Sequence, residues 1–313
     1  MKTWQQIVGR VAENPAHSFA LATLVQTEGS TYRKPGARCL IDSVGTTLGV
    51  LSGGCLEREI ARHGTRVIAD ERPTLLSFDT RLLFGCDGRL KVLVEPIPAA
   101  GEDGNLITQI GRALDRREIS RVRTCFEGGM LGSELLPADV LLAEEPGVLI
   151  DIIPPPIRLL LFGTGPEVEP LTHLAATLGW IVEHFGHPSE LNDDFRTDAQ
   201  TAALVMNHNF GRDLLALDRL LHLPLRYIGL LGPRKRYAEL LARLSERSDF
   251  DMRLKNLFAP VGLDIGSEAP EEIALSILSE VAAVLADRRG GFLRARKIDI
   301  HGANVVAAGG EAA

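Results

Sequence analysis

The chain has 313 residues, beyond the about 250–300 at which single hydrophobic cores stop growing, so two domains are expected. Hydrophobic residues make up 45% and charged residues 24%, the balance of an ordinary globular protein, which excludes a largely disordered chain. A formal net charge of −7 and 5% aromatic residues argue against a protein built mainly to hold nucleic acid, whether by a basic field or by base stacking.

In chain order, residues 3–13 carry Trp4, Ile7, Val8 and Val11 at helical spacing. Residues 18–25 read as a buried strand, and residues 26–36 as a polar loop with two glycines and a proline. Strands are predicted at Arg38–Asp42 and Thr47–Leu51. The turn Ser52-Gly53-Gly54-Cys55 then opens a helix over Leu56–Asp70. Strands at Pro73–Phe78 and Leu90–Pro96 flank a turn at Phe84–Gly88. A helix over 104–117 and strands at Ser120–Glu127 and Val148–Ile153 follow. Pro154-Pro155-Pro156 continues neither helix nor central strand and marks the domain boundary.

Beyond it the pattern alternates. Strands are predicted at Arg158–Phe162, Trp180–Phe185, Ala202–Met206 and Tyr227–Leu231, with helices at Pro166–Leu178, Arg212–His222, Pro233–Ser245 and Glu271–Arg288. Such alternation implies an α/β domain with a parallel sheet. Residues 290–313 are small and polar, a tail expected to fray. No apolar run approaches the roughly 20 residues of a membrane span. The first residues lack the apolar core of a secretory signal, so a cytoplasmic protein without a membrane partner is expected.

Four cysteines are too few for a disulfide framework, and none forms a Cys-x-x-Cys pair, so no structural zinc site is expected. Cys55 at a helix start favours a thiolate, and the glycines there suit an anion; alternatively Ser52 is a plain N-cap and Cys55 a core residue. Cys86 lies between Gly85 and Gly88 with Arg89 and Lys91 close by, a reactive thiol or an inert turn residue. Cys39 and Cys125 fall within strands and read as structural. The loop Thr27–Arg38 offers hydroxyls, two glycines and the cations Arg33, Lys34 and Arg38, an anion pocket or a solvated loop.

In the second half, Phe162-Gly163-Thr164-Gly165 has the form of a dinucleotide turn, but Val168 stands at its third glycine position. The second strand ends in Gly186 and His187 in place of an acidic residue, while Glu183 lies inside the strand. His208, and the run Arg234-Lys235-Arg236, follow later strands at the ligand-binding end of such a sheet. An NAD(P)-dependent oxidoreductase with His208 as acid or base is one reading of this half, weakened by Val168 and Gly186.

Taken together, several segments in order carry a family resemblance. They are Thr27–Ser30, Arg33–Arg38, Gly49–Glu57, Gly85-Cys86, Val94–Pro96, Phe162–Gly165, Asn207–Phe210, Tyr227–Arg234 and Pro260–Gly266. The sequence resembles the xanthine dehydrogenase accessory factor family, XdhC/CoxI. The resemblance implies an XdhC/CoxI-type α/β domain over residues 1–153, a Rossmann-like domain over 157–290 and a flexible tail over 291–313. It implies a maturation chaperone rather than a turnover enzyme. Such a chaperone binds molybdenum cofactor (molybdopterin) and assists its sulfuration and insertion into a xanthine dehydrogenase-type molybdoenzyme. A cysteine desulfurase and a second copy of the chain are the other implied partners.

Cys55 and Cys86 take the family's cysteine positions, for a sulfur relay or for approach to molybdenum. The cofactor-binding set carried over is Glu28, Gly29, Ser30, Arg33, Lys34, Gly36, Arg38, Ser52, Gly53, Gly54, Cys55 and Cys86, with Gly163, Gly165, His208 and Arg234 in the second domain. Gly186 replaces an Asp common in the family, Asn207 a Thr, and Asp87-Gly88 a pair of glycines. A third reading is a scaffold joining desulfurase to client without a small-molecule site.

Overall fold

The computed structural model of the chain describes residues 2–29, 31–54, 56–79, 88–101, 104–140, 143, 145–192, 194–245 and 254–295. Of the sequence-derived candidates, Ser30, Cys55 and Cys86 lie outside the described residues, as do most of the predicted 84–88 turn and the tail from residue 296. The chain divides into two compact units, Met1–Pro155 and Pro156–Ala313, with the division inside the proline run.

In the first unit, strands β1 (Phe19–Gly29), β2 (Arg38–Ile41), β3 (Thr47–Leu48), β4 (Thr74–Asp79) and β5 (Gly88–Ile97) form an antiparallel sheet in the order β3-β2-β1-β5-β4. Period-two alternation sends Ala20, Ala22, Leu24, Cys39 and Ile41 to one face. There they pack with Ile60, Ala61 and Val67 of helix α2 (Glu57–Asp70). Phe19, Leu21, Leu40 and Ile97 go to the other face. They meet α1 (Lys2–Glu13) and α3 (Leu106–Asp115), together with Val122 and Ile153. These last two belong to a small antiparallel sheet, β7-β6-β8, built from β6 (Ser120–Cys125), β7 (Gly132–Leu136) and β8 (Val148–Ile153). Glycines let the helices sit close. A Cβ on Gly64 of α2 would stand 2.9 Å from Ile41 Cγ2, and one on Gly111 of α3 would stand 2.7 Å from Val8 Cγ1.

Three strands of this unit differ from the sequence reading. β1 continues through Gln26–Gly29, where a loop is expected, because beyond a bulge at Leu24/Gln26 these residues pair with Gly88–Lys91 of β5. The backbone ladder is indifferent to their polar side chains. β3 stops at Leu48 because Gly49 turns away with φ +107°, where a Cβ would lie 2.3 Å from the Arg38 carbonyl. The third is β7, for which no strand is predicted; it pairs antiparallel with β6.

The second unit carries β9 (Arg158–Gly163), β10 (Ile181–Phe185), β11 (Thr201–Met206), β12 (Ile228–Leu230) and β13 (Leu257–Phe258), all parallel, in the order β10-β9-β11-β12-β13. β13 is absent from the sequence reading. Every residue of β9 and β11 is buried, as a strand covered on both faces requires. Leu160 and Phe162 face α5 (Phe210–Leu220) and α6 (Arg234–Ser245). Leu159 and Leu161 face α4 (Val168–Leu178) and α7 (Pro270–Leu285). No helix among the described residues is long and apolar enough to cross a membrane.

One buried charge organises the first unit. Arg38 is 3% exposed, lies over the Trp4 ring at 4.8 Å, donates to the Gly36 carbonyl and pairs with Asp151 of β8. Nearby, Glu95 of β5 accepts from the Ser133 N–H at 2.7 Å and its hydroxyl at 2.6 Å, which ties β5 to β7. Burial pushes the Glu95 carboxyl above the ordinary range, opposed by the Ser133 bonds and the Arg38 charge. Removing one partner of a buried pair leaves the other uncompensated, so Asp151→Ala is expected to lower stability by about 3 kcal/mol in chemical denaturation.

Candidate functional site

The turn after β3 is held by Glu57, the first residue of α2. Its Oε1 accepts from the N–H groups of Leu51 and Ser52, each at 2.9 Å, and its Oε2 from the Ser52 hydroxyl at 3.1 Å. The Ser52 oxygen in turn accepts from the Leu56 N–H at 3.0 Å. Ser52 is therefore not the N-cap, a position that Leu56 holds without a side-chain bond, but it is tied to Leu56 and Glu57, and its N–H already serves an internal carboxylate. Burial would raise the Glu57 carboxyl, but the bonds from Ser52, Leu51, its own N–H and the Ser52 hydroxyl outweigh it and hold the group below the usual carboxylate range.

What remains open at this turn is Gly53-Gly54. Both are exposed, with φ of +78° and +107°, and among the described residues nothing lies within 4 Å of a Cβ built on Gly54. A Cβ on Gly53 would stand 3.8 Å from the Tyr32 ring, so the loop after β1 borders this turn. Arg33 and Lys34 follow Tyr32 and are exposed. The fold thus sets Tyr32, next in the chain to the exposed Arg33 and Lys34, beside Gly53, ahead of a helix whose dipole favours negative charge.

Other candidates are placed elsewhere. Arg38 belongs to the interior pair with Asp151, so the loop offers Arg33 and Lys34 rather than three cations. A Cβ on Gly36 would fall 3.3 Å from the same Asp151 carboxylate, so this glycine serves the packing of β8. Glu28 and Gly29 pair with Arg89 and Gly88 of β5. Glu28 lines a cavity of about 320 Å³ with Gln26, Phe78, Asp79 and Lys91.

In the second unit, Gly163 ends β9 in register with Met206 of β11. Asn207, His208 and Asn209 follow β11. His208 holds φ +52°, and Asn209 caps α5 by accepting from the Arg212 N–H at 3.1 Å. Asp213, fully buried, accepts from the Asn207 N–H and side-chain amide, each at 3.1 Å, and pairs with Arg236. Arg236 is thereby committed, while Arg234 and Lys235 are exposed at the start of α6. Glu167 lies buried just before α4, with His208 Nε2 at 3.7 Å from its Oε2. At the end of β10 the carboxylate that Gly186 lacks comes from Glu190, which accepts from the Gly186 N–H at 3.1 Å. Glu183 pairs with Arg158 within the sheet.

Sequence reasoning assigned no role to Glu57, Glu167, Asp213 or Tyr32. The available signal was adjacency: Glu57 and Glu167 each closely follow a glycine turn at a helix start. Among the described residues no group of three or more His, Cys, Asp or Glu is placed to hold a metal ion.

Because its folded pKa lies below the ordinary value, Glu57 stabilises the fold above the unfolded value of about 4.3 and ceases to do so as pH falls through the folded value. Glu57→Gln should therefore cost about 2 kcal/mol at pH 7. The difference from the unmodified chain should shrink below about pH 4, as read by denaturation at successive pH values. The thiol of Cys39, buried in β2 and facing the Glu57 charge, is pushed up to about 12, by burial foremost. It should resist iodoacetamide in the native protein at pH 8 and react after unfolding, as followed by peptide mass spectrometry.

Two family models match the chain. That of the XdhC and CoxI family matches residues 13–79, and that of the XdhC Rossmann domain matches residues 159–281. A probable xanthine dehydrogenase subunit of Bacillus subtilis is 29% identical, over 83% of this chain and 91% of its own. The molybdenum cofactor insertion chaperone PaoD of Escherichia coli is 24% identical, over 84% of this chain and 82% of its own. A crystal structure of a xanthine dehydrogenase from Bacillus halodurans is similar with a TM-score of 0.78 at 27% identity, covering 91% of this chain and 96% of that one. With one model falling in each unit, the chain belongs to the XdhC and CoxI family.

Proposed function

We propose that the protein binds molybdenum cofactor as cargo and serves the maturation of a xanthine dehydrogenase-type molybdoenzyme. The observation that carries this reading is the open Gly53-Gly54 turn at the start of α2, bordered by Tyr32 and followed on the loop side by Arg33 and Lys34. Exposed backbone at a helix N-terminus beside two cations suits the terminal phosphate of a pterin cofactor. The name of the relative PaoD supports the choice of cargo, and those of the xanthine dehydrogenase relatives support the class of client.

In this reading Cys55 follows Gly54 directly and so brings a soft donor to the same turn. With Cys86 it approaches the dithiolene-bound metal or relays sulfur to it, a cysteine desulfurase being the source. A cytoplasmic homodimer is the assembly we assign to it.

The experiment is purification from cells that make the cofactor, followed by oxidation and measurement of released pterin fluorescence. The expected outcome is pterin in near-equal amount to protein. Arg33→Ala/Lys34→Ala together should lower retention about tenfold, while the unfolding midpoint is unchanged. Absence of pterin, under conditions where a known carrier retains it, would remove the reading.

A further inference from the structure

Helix α3 lies against the small sheet of the first unit, on the face of the main sheet away from α2. Alternation along β6 turns Ser120 to the same side as Val122, and Val122 packs with Ile110 and Leu114 of α3. Leu135, which pairs with Val122 across β6 and β7, packs there too. Between this side of the sheet and the last two turns of α3 lies a cavity of about 340 Å³, lined by both. That volume is at the lower end for sites that hold small organic molecules.

The interior of the cavity holds an unmet polar group. Ser120 lines it, is 2% exposed, and its enclosed hydroxyl has no hydrogen-bond partner among the described residues. A buried hydroxyl left unpaired is costly, and an oxygen that accepts from it would remove the cost. Around it, Ala113, Leu135 and Leu136 supply apolar wall.

The rim is cationic and open to solvent. Arg112 and Arg116, one helical turn apart, both line the cavity, and the exposed Ile119 stands beside them. Arg116 already holds a carboxylate: its Nε and Nη2 donate to Glu118 Oε2 at 3.0 and 2.9 Å. The two side chains are 60% and 56% exposed, and an ion pair so exposed contributes little. Glu118 thus shows which head group this rim accepts. A carboxylate that also buries a carbon chain in the cavity has the advantage over it.

We propose that this cleft binds a short aliphatic carboxylate with a further oxygen along its chain. The carboxylate replaces Glu118 on Arg116, the chain lies against Leu135 and Leu136, and the second oxygen accepts from the Ser120 hydroxyl. The site shares no residue with the Gly53-Gly54 turn, and neither reading depends on the other.

The test titrates the isotope-labelled full chain with levulinate to about 20 mM, following backbone amide shifts around the cavity by NMR. Pentanoate lacks the second oxygen, methyl propyl ketone lacks the charge, and pentylamine reverses it. Levulinate is expected to bind about fivefold more tightly than pentanoate, and Ser120→Ala to remove that advantage while leaving pentanoate unchanged. Arg116→Gln should weaken both acids about fivefold. Glu118→Gln, which releases Arg116, should tighten both about threefold, a gain that damage to the fold would not produce. Each variant is checked for an unchanged thermal transition.

The proposal is overturned by no levulinate shifts at the cavity, by an unaltered levulinate advantage in Ser120→Ala, or by the ketone or the amine binding as tightly as levulinate. If Ser120→Ala unfolds, the two exposed variants decide: affinity unmoved by Arg116→Gln or by Glu118→Gln also overturns it.

Discussion

Main-chain N–H groups in loops at the ends of a sheet have no strand or helix to receive them, and leaving them buried and unpaired is costly. This chain meets that constraint with its own carboxylates. Glu57 takes the N–H groups of Leu51 and Ser52, Asp213 that of Asn207, Glu190 that of Gly186 and Glu280 that of Gly262. Each carboxylate fixes a loop to a helix or strand of the same unit. The turns that could meet a ligand are rigid for that reason, and each already carries a negative charge in or near it.

This constraint separates two turns that look alike in sequence. Both pair two glycines with a helix start and a glutamate. In the first, Glu57 is spent on the backbone behind the turn, and Gly53-Gly54 stays exposed with the Tyr32 ring beside it. In the second, the enclosed Oε2 of Glu167 takes no hydrogen bond from the described residues and stands over Gly165. The same residue types thus leave one turn bare and set a buried carboxylate against the other. The difference lies in which way one carboxylate turns, and no spacing rule carries that.

Much of the architecture was legible from periodicity. The parallel sheet of the second unit follows from uninterrupted apolar runs such as Leu159–Phe162, and the proline run marks where the chain divides. Elements defined by pairing rather than composition were not. The end of β1 is polar and exists because β5 lies beside it, and β7 and β13, of five and two residues, are too short to show a period. At the site, glycines and cations could be picked out one at a time. What could not be read was their employment. Arg38 reads as a loop cation, but its guanidinium is drawn inside by Asp151, 113 positions away in the chain.

The buried Asp213–Arg236 pair has a consequence for how the second unit behaves in different media. It joins the loop after β11, which carries His208, to α6, which begins with Arg234, with the carboxylate fully buried and the guanidinium 22% exposed. Dissolved ions screen exposed charges within about 10 Å at 0.1 M but scarcely reach a pair enclosed by protein. The loop after β11 and the start of α6 are thus braced by an interaction that ionic strength weakens less than it does the exposed pairs. Salt acts more on the exposed cations there than on the spacing between the two elements.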